Sequence, residues 1–142
     1  MEQREATARM LPHSLEAEKS VLGGMLISRE AAELVCEALK PEDFYLPAHQ
    51  DIYTAMLQLY NRGNAVDSVT LIDALEREGK LNAVGSVSYI TELSLFVPSA
   101  ANVSHYIRIV EDRSVMRQLI RAGTDIVQDA QTGERPVGDM LD

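Results

Sequence analysis

Apolar residues recur at steps of three and four along most of this chain, and no run alternates convincingly with a period of two. The pattern predicts an all-α protein. Its longest helical stretch runs from Ser99 to Thr132, with apolar positions at Val103, Tyr106, Ile107, Ile109, Val110, Met116, Leu119, Ile120, Ile126, Val127 and Ala130. The stretch contains no proline, and Gly123 is its only glycine. At 1.5 Å per residue such a helix is about 45–50 Å long, longer than a small domain is wide. It is expected to project from its own core and to need a partner. Ser99, directly after Pro98, is the expected N-cap.

Five shorter helices are predicted before it. Ser14 opens the first, which buries Leu15, Val21, Leu22, Met25 and Leu26. Glu16 and Glu18 sit in its first turns, where the helix dipole favours negative charge. Ala17 stands where a capping box would need Glu or Gln. Gly23-Gly24 in mid-pattern implies close approach of another helix, because each costs about 1 kcal/mol relative to alanine in a helix interior. The second helix carries Ala31, Leu34, Val35, Ala38 and Leu39 and stops before Pro41. The run P-E-D-F-Y-L-P is a turn that tucks Phe44 and Tyr45 against the core. Pro47 suits the start of a third helix bearing Ile52, Tyr53, Met56, Leu57, Leu59 and Tyr60, closed by Gly63. Asp67 or Ser68 caps a fourth, with Val69, Leu71, Ile72 and Leu75 inward and Gly79 at its end. Lys80 to Gly85 is a connection. A fifth carries Val87, Tyr89, Ile90 and Leu93, stopped by Leu95-Phe96-Val97-Pro98.

After the long helix, Gly133–Pro136 is a turn, and Val137, Met140 and Leu141 begin another i, i+3, i+4 pattern that Asp142 cuts short. The organisation expected is a tail over residues 1–13, a helical head over 14–98, and an incomplete antiparallel helical hairpin over 99–142.

Composition narrows the functions open to the chain. Its 142 residues carry 22 acidic and 13 basic side chains, a net charge of −9. An acidic surface repels phosphate backbones, so direct nucleic-acid binding is not expected. Aromatics make up 5% of the chain and tryptophan is absent, so the core is aliphatic, which suits helix-on-helix packing. Cys36 is the single cysteine; it permits no internal disulfide, fits a cytoplasmic protein, and reads as a small buried hydrophobe. No apolar run approaches the roughly 20 residues of a membrane span.

Chemistry is sparse. His13, His49 and His105 lie on three elements without metal-ligand spacing, and read as capping or surface residues. Glu42-Asp43 and Glu111-Asp112 read as solvated charge. No nucleophile-elbow, zincin or phosphate-loop motif occurs. Catalytic, cofactor and metal residues are therefore none. Arg113, Arg117 and Arg121 follow each other by four on the long helix, either as a solvated face with ion pairs or as a docking face for another protein. The long helix is apolar over a wide arc, which calls for two partners: the second hairpin helix and a further subunit.

Four stretches together resemble a known family. L-P-H-S-L-E-A-E-K-S-V-L-G-G-M-L at 11–26 is similar to the opening of the bacterial replicative DNA helicases of the DnaB family. K-P-E-D-F-Y-L-P-A-H-Q-D-I-Y at 40–53, V-D-S-V-T-L-I-D-A-L at 66–75 and V-P-S-A-A-N-V-S-H-Y at 97–106 agree in the family's order. The resemblance implies the N-terminal interaction domain of a hexameric helicase, whose RecA-like motor, with its ATP and Mg²⁺, is absent from this chain. It also implies pairing through hairpins into a collar of three dimers, with the C-terminal helicase-binding domain of primase received on the same layer. A helicase loader is a further possible partner. Carried onto matching positions, the primase face would use Glu16, Tyr89, Arg117, Ile120 and Ile126. The self-association face would use Ile109, Met116, Leu119 and Gly123. Two other classes compete: a DNA-binding regulator that reads the major groove with the long helix, which the charge opposes, and a small helical enzyme.

Overall fold

The computed structural model describes residues 10–133 and 136–141, and among them every regular element is helical. The expected tail at residues 1–9 lies outside the described residues. So do Glu134 and Arg135 of the turn, and Asp142. The helices are α1 (Leu15–Ile27), α2 (Arg29–Ala38), α3 (Pro47–Asn61), α4 (Ser68–Arg77), α5 (Leu81–Val84), α6 (Ser86–Phe96), α7 (Val103–Thr132) and α8 (Val137–Leu141), with a 3-10 turn at Pro41–Asp43.

Local chemistry starts and stops these helices. Ser14 caps α1 by accepting from the Ala17 amide, Ser28 caps α2 by accepting from Ala31, and Asp67 exchanges bonds with Thr70 at the start of α4. Each cap satisfies donors that the first turn leaves without an intrahelical partner. Pro47 occupies the first turn of α3, and Gly63 follows its end in the left-handed region at φ 77°. The expected connection from Lys80 to Gly85 contains one extra turn of helix, α5.

The head is built around α1, which packs against α2, α6 and α7. Val21, Leu22 and Met25 are sealed from solvent together with Phe44, Ile52, Tyr53, Met56, Leu71, Leu75, Ile90 and Leu93. Gly23 is what lets α6 come so close: a Cβ there would run into the Leu93 carbonyl oxygen. Gly24 faces α7 more loosely, its would-be Cβ 3.5 Å from Val103 Cγ2. The Tyr53 hydroxyl donates toward the carbonyls of Leu39, at 2.7 Å, and Val35, at 3.1 Å, which seals the end of α2 against α3. Five residues expected on apolar faces are exposed instead: Leu15, Leu34, Ala38, Val69 and Val87. Val69 shows the reason, since it precedes Leu71 by two positions and so lies about 200° round the helix from the buried face.

The long helix differs from its prediction at both ends of the argument. It begins at Val103, because Ser99 makes a separate tight turn by accepting from the Ala101 amide at 3.1 Å. Its buried residues are Val103, Ile107, Val110, Ser114 and Arg117, steps of four, three, four and three. This stripe lies on the head. Only the half beyond Arg117 projects, and no residue from Gln118 to Thr132 is fully buried. The hairpin arm therefore shares its first half with the head. Gly133, at φ 66°, ends the helix, and α8 turns back into contact with it.

The two glycines of α1 should behave oppositely in thermal or urea unfolding. Gly23→Ala should cost about 1–3 kcal/mol, because backbone cannot yield to the new methyl. Gly24→Ala should be neutral or stabilising by up to about 1 kcal/mol, because contact there is ordinary and alanine favours the helix. Equal losses at both would show that the approach of α6 does not depend on Gly23.

Candidate docking surface and the polar core beneath it

The residues expected to meet a partner fall on three elements. Glu16 is exposed on α1, and Tyr89 is half-exposed on α6. On α7, Arg117 is buried while Ile120 and Ile126 are exposed. Of the self-association positions, Ile109 is half-buried, Met116 and Leu119 are exposed, and a Cβ on Gly123 would meet nothing within 4 Å.

Beneath Tyr89 lies a buried polar group of three. Glu18 on α1 and His49 on α3 are 1% and 0% exposed, with His49 Nδ1 2.8 Å from Glu18 Oε1. His49 Nε2 lies 2.6 Å from the Tyr89 hydroxyl, and the two rings stack with centroids 5.9 Å apart. The Glu18 carboxylate also accepts from the backbone amides of Tyr45, at 2.8 Å, and Leu46, at 3.5 Å. Leu46 is the N-cap of α3. A side chain from α1 thus receives the orphaned donors at the start of α3, where the helix dipole favours a negative charge. The surface role expected of His49 is overturned: it is sealed inside because both its ring nitrogens find partners. The sequence held the signal. Glu18 stands three, four and seven positions before Val21, Leu22 and Met25, on the buried face of α1. His49 stands in the same relation to Ile52, Tyr53 and Met56. A polar residue on a buried stripe requires a partner.

A second polar joint holds α7 to the head. Arg117 Nη2 donates to the Asp43 carbonyl at 2.7 Å, and Nη1 donates to the Pro12 carbonyl at 2.9 Å. The Asp43 carboxylate accepts from the Ser114 hydroxyl at 2.8 Å and from the Lys40 amide at 2.7 Å. Asp43 is thus buried, where solvated charge was expected. Tyr45 lies under this joint, with His13 stacked on it at 4.0 Å and the Arg117 guanidinium 5.7 Å from its ring centre. Pro12 and His13 are therefore held to the head, where a tail was expected. Burial lowers the Arg117 pKa, against which Glu18 and Asp43 act. Arg113, Arg117 and Arg121 do not form one face: Arg113 is half-buried, Arg117 points inward and Arg121 is exposed. Arg117 shapes the junction between head and arm, and its side chain is closed to a partner.

The exposed apolar strip begins where this joint ends. Met116, Leu119, Ile120, Ile126 and Val127 are all between 43% and 67% exposed. With Gly123 between them, they repeat at steps of three and four, as one seam of a helix-helix contact does. His105 is exposed and meets only the edge of Tyr106 among the ring contacts. Cys36 is half-buried, and burial pushes its thiol up to about 11, which keeps it protonated and unreactive at neutral pH. Among the described residues no group of His, Cys, Asp and Glu is arranged to hold a metal, and no helix is long and apolar enough to cross a membrane.

Removing the guanidinium should separate a structural arginine from a surface one. Arg117→Ala should cost about 2–4 kcal/mol in urea unfolding, since the buried Asp43 carbonyl and the partly buried Pro12 carbonyl lose a charged donor. Arg121→Ala, on exposed helix, should stay within about 0.5 kcal/mol of wild type. A small loss at Arg117 would show that α7 is held by its apolar stripe alone.

Known proteins share this fold. The family described as DnaB-like helicase N-terminal domain matches residues 10–112. The replicative DNA helicase DnaB of Geobacillus stearothermophilus is 47% identical over 134 residues, which cover 94% of this chain and 30% of that protein. The chain thus spans about a third or less of the length of its curated relatives. The crystal structure of the N-terminal domain of DnaB helicase from Mycobacterium tuberculosis matches with a TM-score of 0.88 at 43% identity, over 93% of both chains. A structure described as a DnaB-like replicative helicase and its interactions with primase matches with a TM-score of 0.75 at 28% identity, over 90% of this chain and 30% of that one. Matched over most of its length in both sequence and structure, the chain belongs to the family of DnaB-like helicase N-terminal domains.

Proposed function

We propose that this chain is the assembly and docking domain of a replicative DNA helicase. In this reading the hairpin of α7 and α8 pairs with that of a second copy, and three such dimers form a collar on a hexameric, ATP- and Mg²⁺-dependent motor outside these 142 residues. The same layer recruits primase through its helicase-binding domain, in the cytoplasm, with a loader as a further partner. The domain itself performs no catalysis. The observation that carries the reading is the exposed apolar seam from Met116 to Val127. Burying it on a partner would stabilise the assembly by roughly 25 cal/mol per Å² of apolar surface removed from water. Family membership and the primase interactions described for a structural neighbour support the choice of partners.

The docking face in this reading comprises Glu16, Tyr89, Ile120 and Ile126. Arg117 contributes by holding the arm at its angle. Met116, Leu119 and Gly123 belong to the self-association seam, with Ile109 at its head end.

Anisotropy with labelled primase helicase-binding domain tests recruitment, and sedimentation tests assembly. Ile120→Asp and Ile126→Asp should weaken primase binding at least about tenfold without lowering the unfolding midpoint, because both side chains are exposed. Leu119→Asp should shift the sedimenting species toward monomer. Absence of primase binding by the unmodified chain would remove recruitment, and a monomer at every concentration would remove the seam.

A further inference from the structure

Tyr89 is oriented from beneath. Its hydroxyl meets His49 Nε2, and its ring lies nearly parallel to the imidazole at an interplanar angle of 11°. Gly85 makes the room, since a Cβ there would stand 2.7 Å from Tyr89 Cβ. The His49 ring is in turn held by Glu18, which also accepts from the Tyr45 and Leu46 amides. A carboxylate receiving backbone N–H groups has only acceptor capacity, so His49 Nδ1 carries the ring proton. In the neutral ring Nε2 is then an acceptor, and the Tyr89 hydroxyl must donate. With the ring neutral, the phenol proton is committed inward, and the acceptor capacity of the phenol oxygen is left unspent. Burial, with Glu92 and Glu18 nearby, raises the Tyr89 pKa and keeps that proton in place.

We propose that Glu18 and His49 are positioning residues for the docking face, holding the Tyr89 phenol in one rotamer with its hydroxyl proton turned inward, so that it meets a partner as a preformed hydrogen-bond acceptor. The inference rests on the reading of the head as a primase-docking domain, and it adds a requirement on the partner: an arginine, lysine or amide donor opposite Tyr89. Preorganisation strengthens binding by removing the cost of ordering the side chain on contact. The relay also accounts for burying two ionisable side chains from elements 31 residues apart in sequence, when an apolar pair could fill the same space.

A double-mutant cycle on binding to the primase helicase-binding domain tests it. Tyr89→Phe removes the hydroxyl. His49→Asn leaves an amide donor for Glu18 and cannot reach Tyr89. Each single change should weaken binding about tenfold, and the double variant should bind no worse than Tyr89→Phe alone, because His49 acts through Tyr89. Wild-type affinity in His49→Asn, or losses that multiply in the double variant, would overturn the proposal while leaving the docking reading intact. No binding by the unmodified chain would overturn both. Long-range proton–nitrogen spectra of the unmodified chain give a check that needs no variant to fold: His49 should be protonated at Nδ1 alone, and a proton found on Nε2, in a neutral or a charged ring, sinks the idea.

Discussion

A carboxylate closed off from water must be given donors, and the head of this protein is arranged around that requirement. Glu18 leaves α1 on its buried face and ends at the start of α3, among two backbone amides and the His49 ring. One side chain thereby meets both the entry of α3 and the histidine that contacts Tyr89 on α6. Burial of a charge without such partners costs several kcal/mol, so the three helices cannot slide past one another without leaving a donor or acceptor stranded. The aliphatic core around Leu22, Met25, Ile52 and Met56 supplies the drive to collapse. The polar group selects which collapsed arrangement is satisfied.

The long helix shows how one element serves two bodies. Its stripe of Val103, Ile107, Val110, Ser114 and Arg117 belongs to the head, and its seam from Met116 onward lies about 100° round the helix from Arg117. Between them Arg117 and Asp43 form a joint that also ties down Pro12. The arm thus leaves the head from a rigid footing, which suits a domain whose proposed work is to hold other proteins at fixed angles. Gly23 plays the same part inside the head, since the approach of α6 to α1 sets where Tyr89 stands.

Much of this was legible in the chain. Helical spacing identified five of the six helices of the head and the long helix, missing only the single turn at Leu81–Val84, and Ser14, Pro47, Asp67, Gly63 and Gly79 marked boundaries, because caps and turns are local chemistry. Close approach at Gly23-Gly24 was legible as a pair of costly residues in a helix. Motifs at 11–26, 40–53, 66–75 and 97–106 pointed to the family whose members match this chain. Errors gathered where local signals met long-range contacts. Val69 and Val87 fit an apolar list and face water. Ser99 has the right residue type for a cap and makes a different turn. The four-residue repeat of Arg113, Arg117 and Arg121 suggested one face, and the head takes Arg117 out of it.

The sequence by itself determined most of the secondary structure, the all-α class, the family and the presence of an apolar seam on the long helix, because each depends on residues within a few turns of one another. Only the tertiary structure decided that Glu18, His49 and Asp43 are interior groups and that Arg117 braces the arm. Those roles rest on partners 31 to 105 residues away, and periodicity along one helix carries no information about which group from another helix will stand opposite.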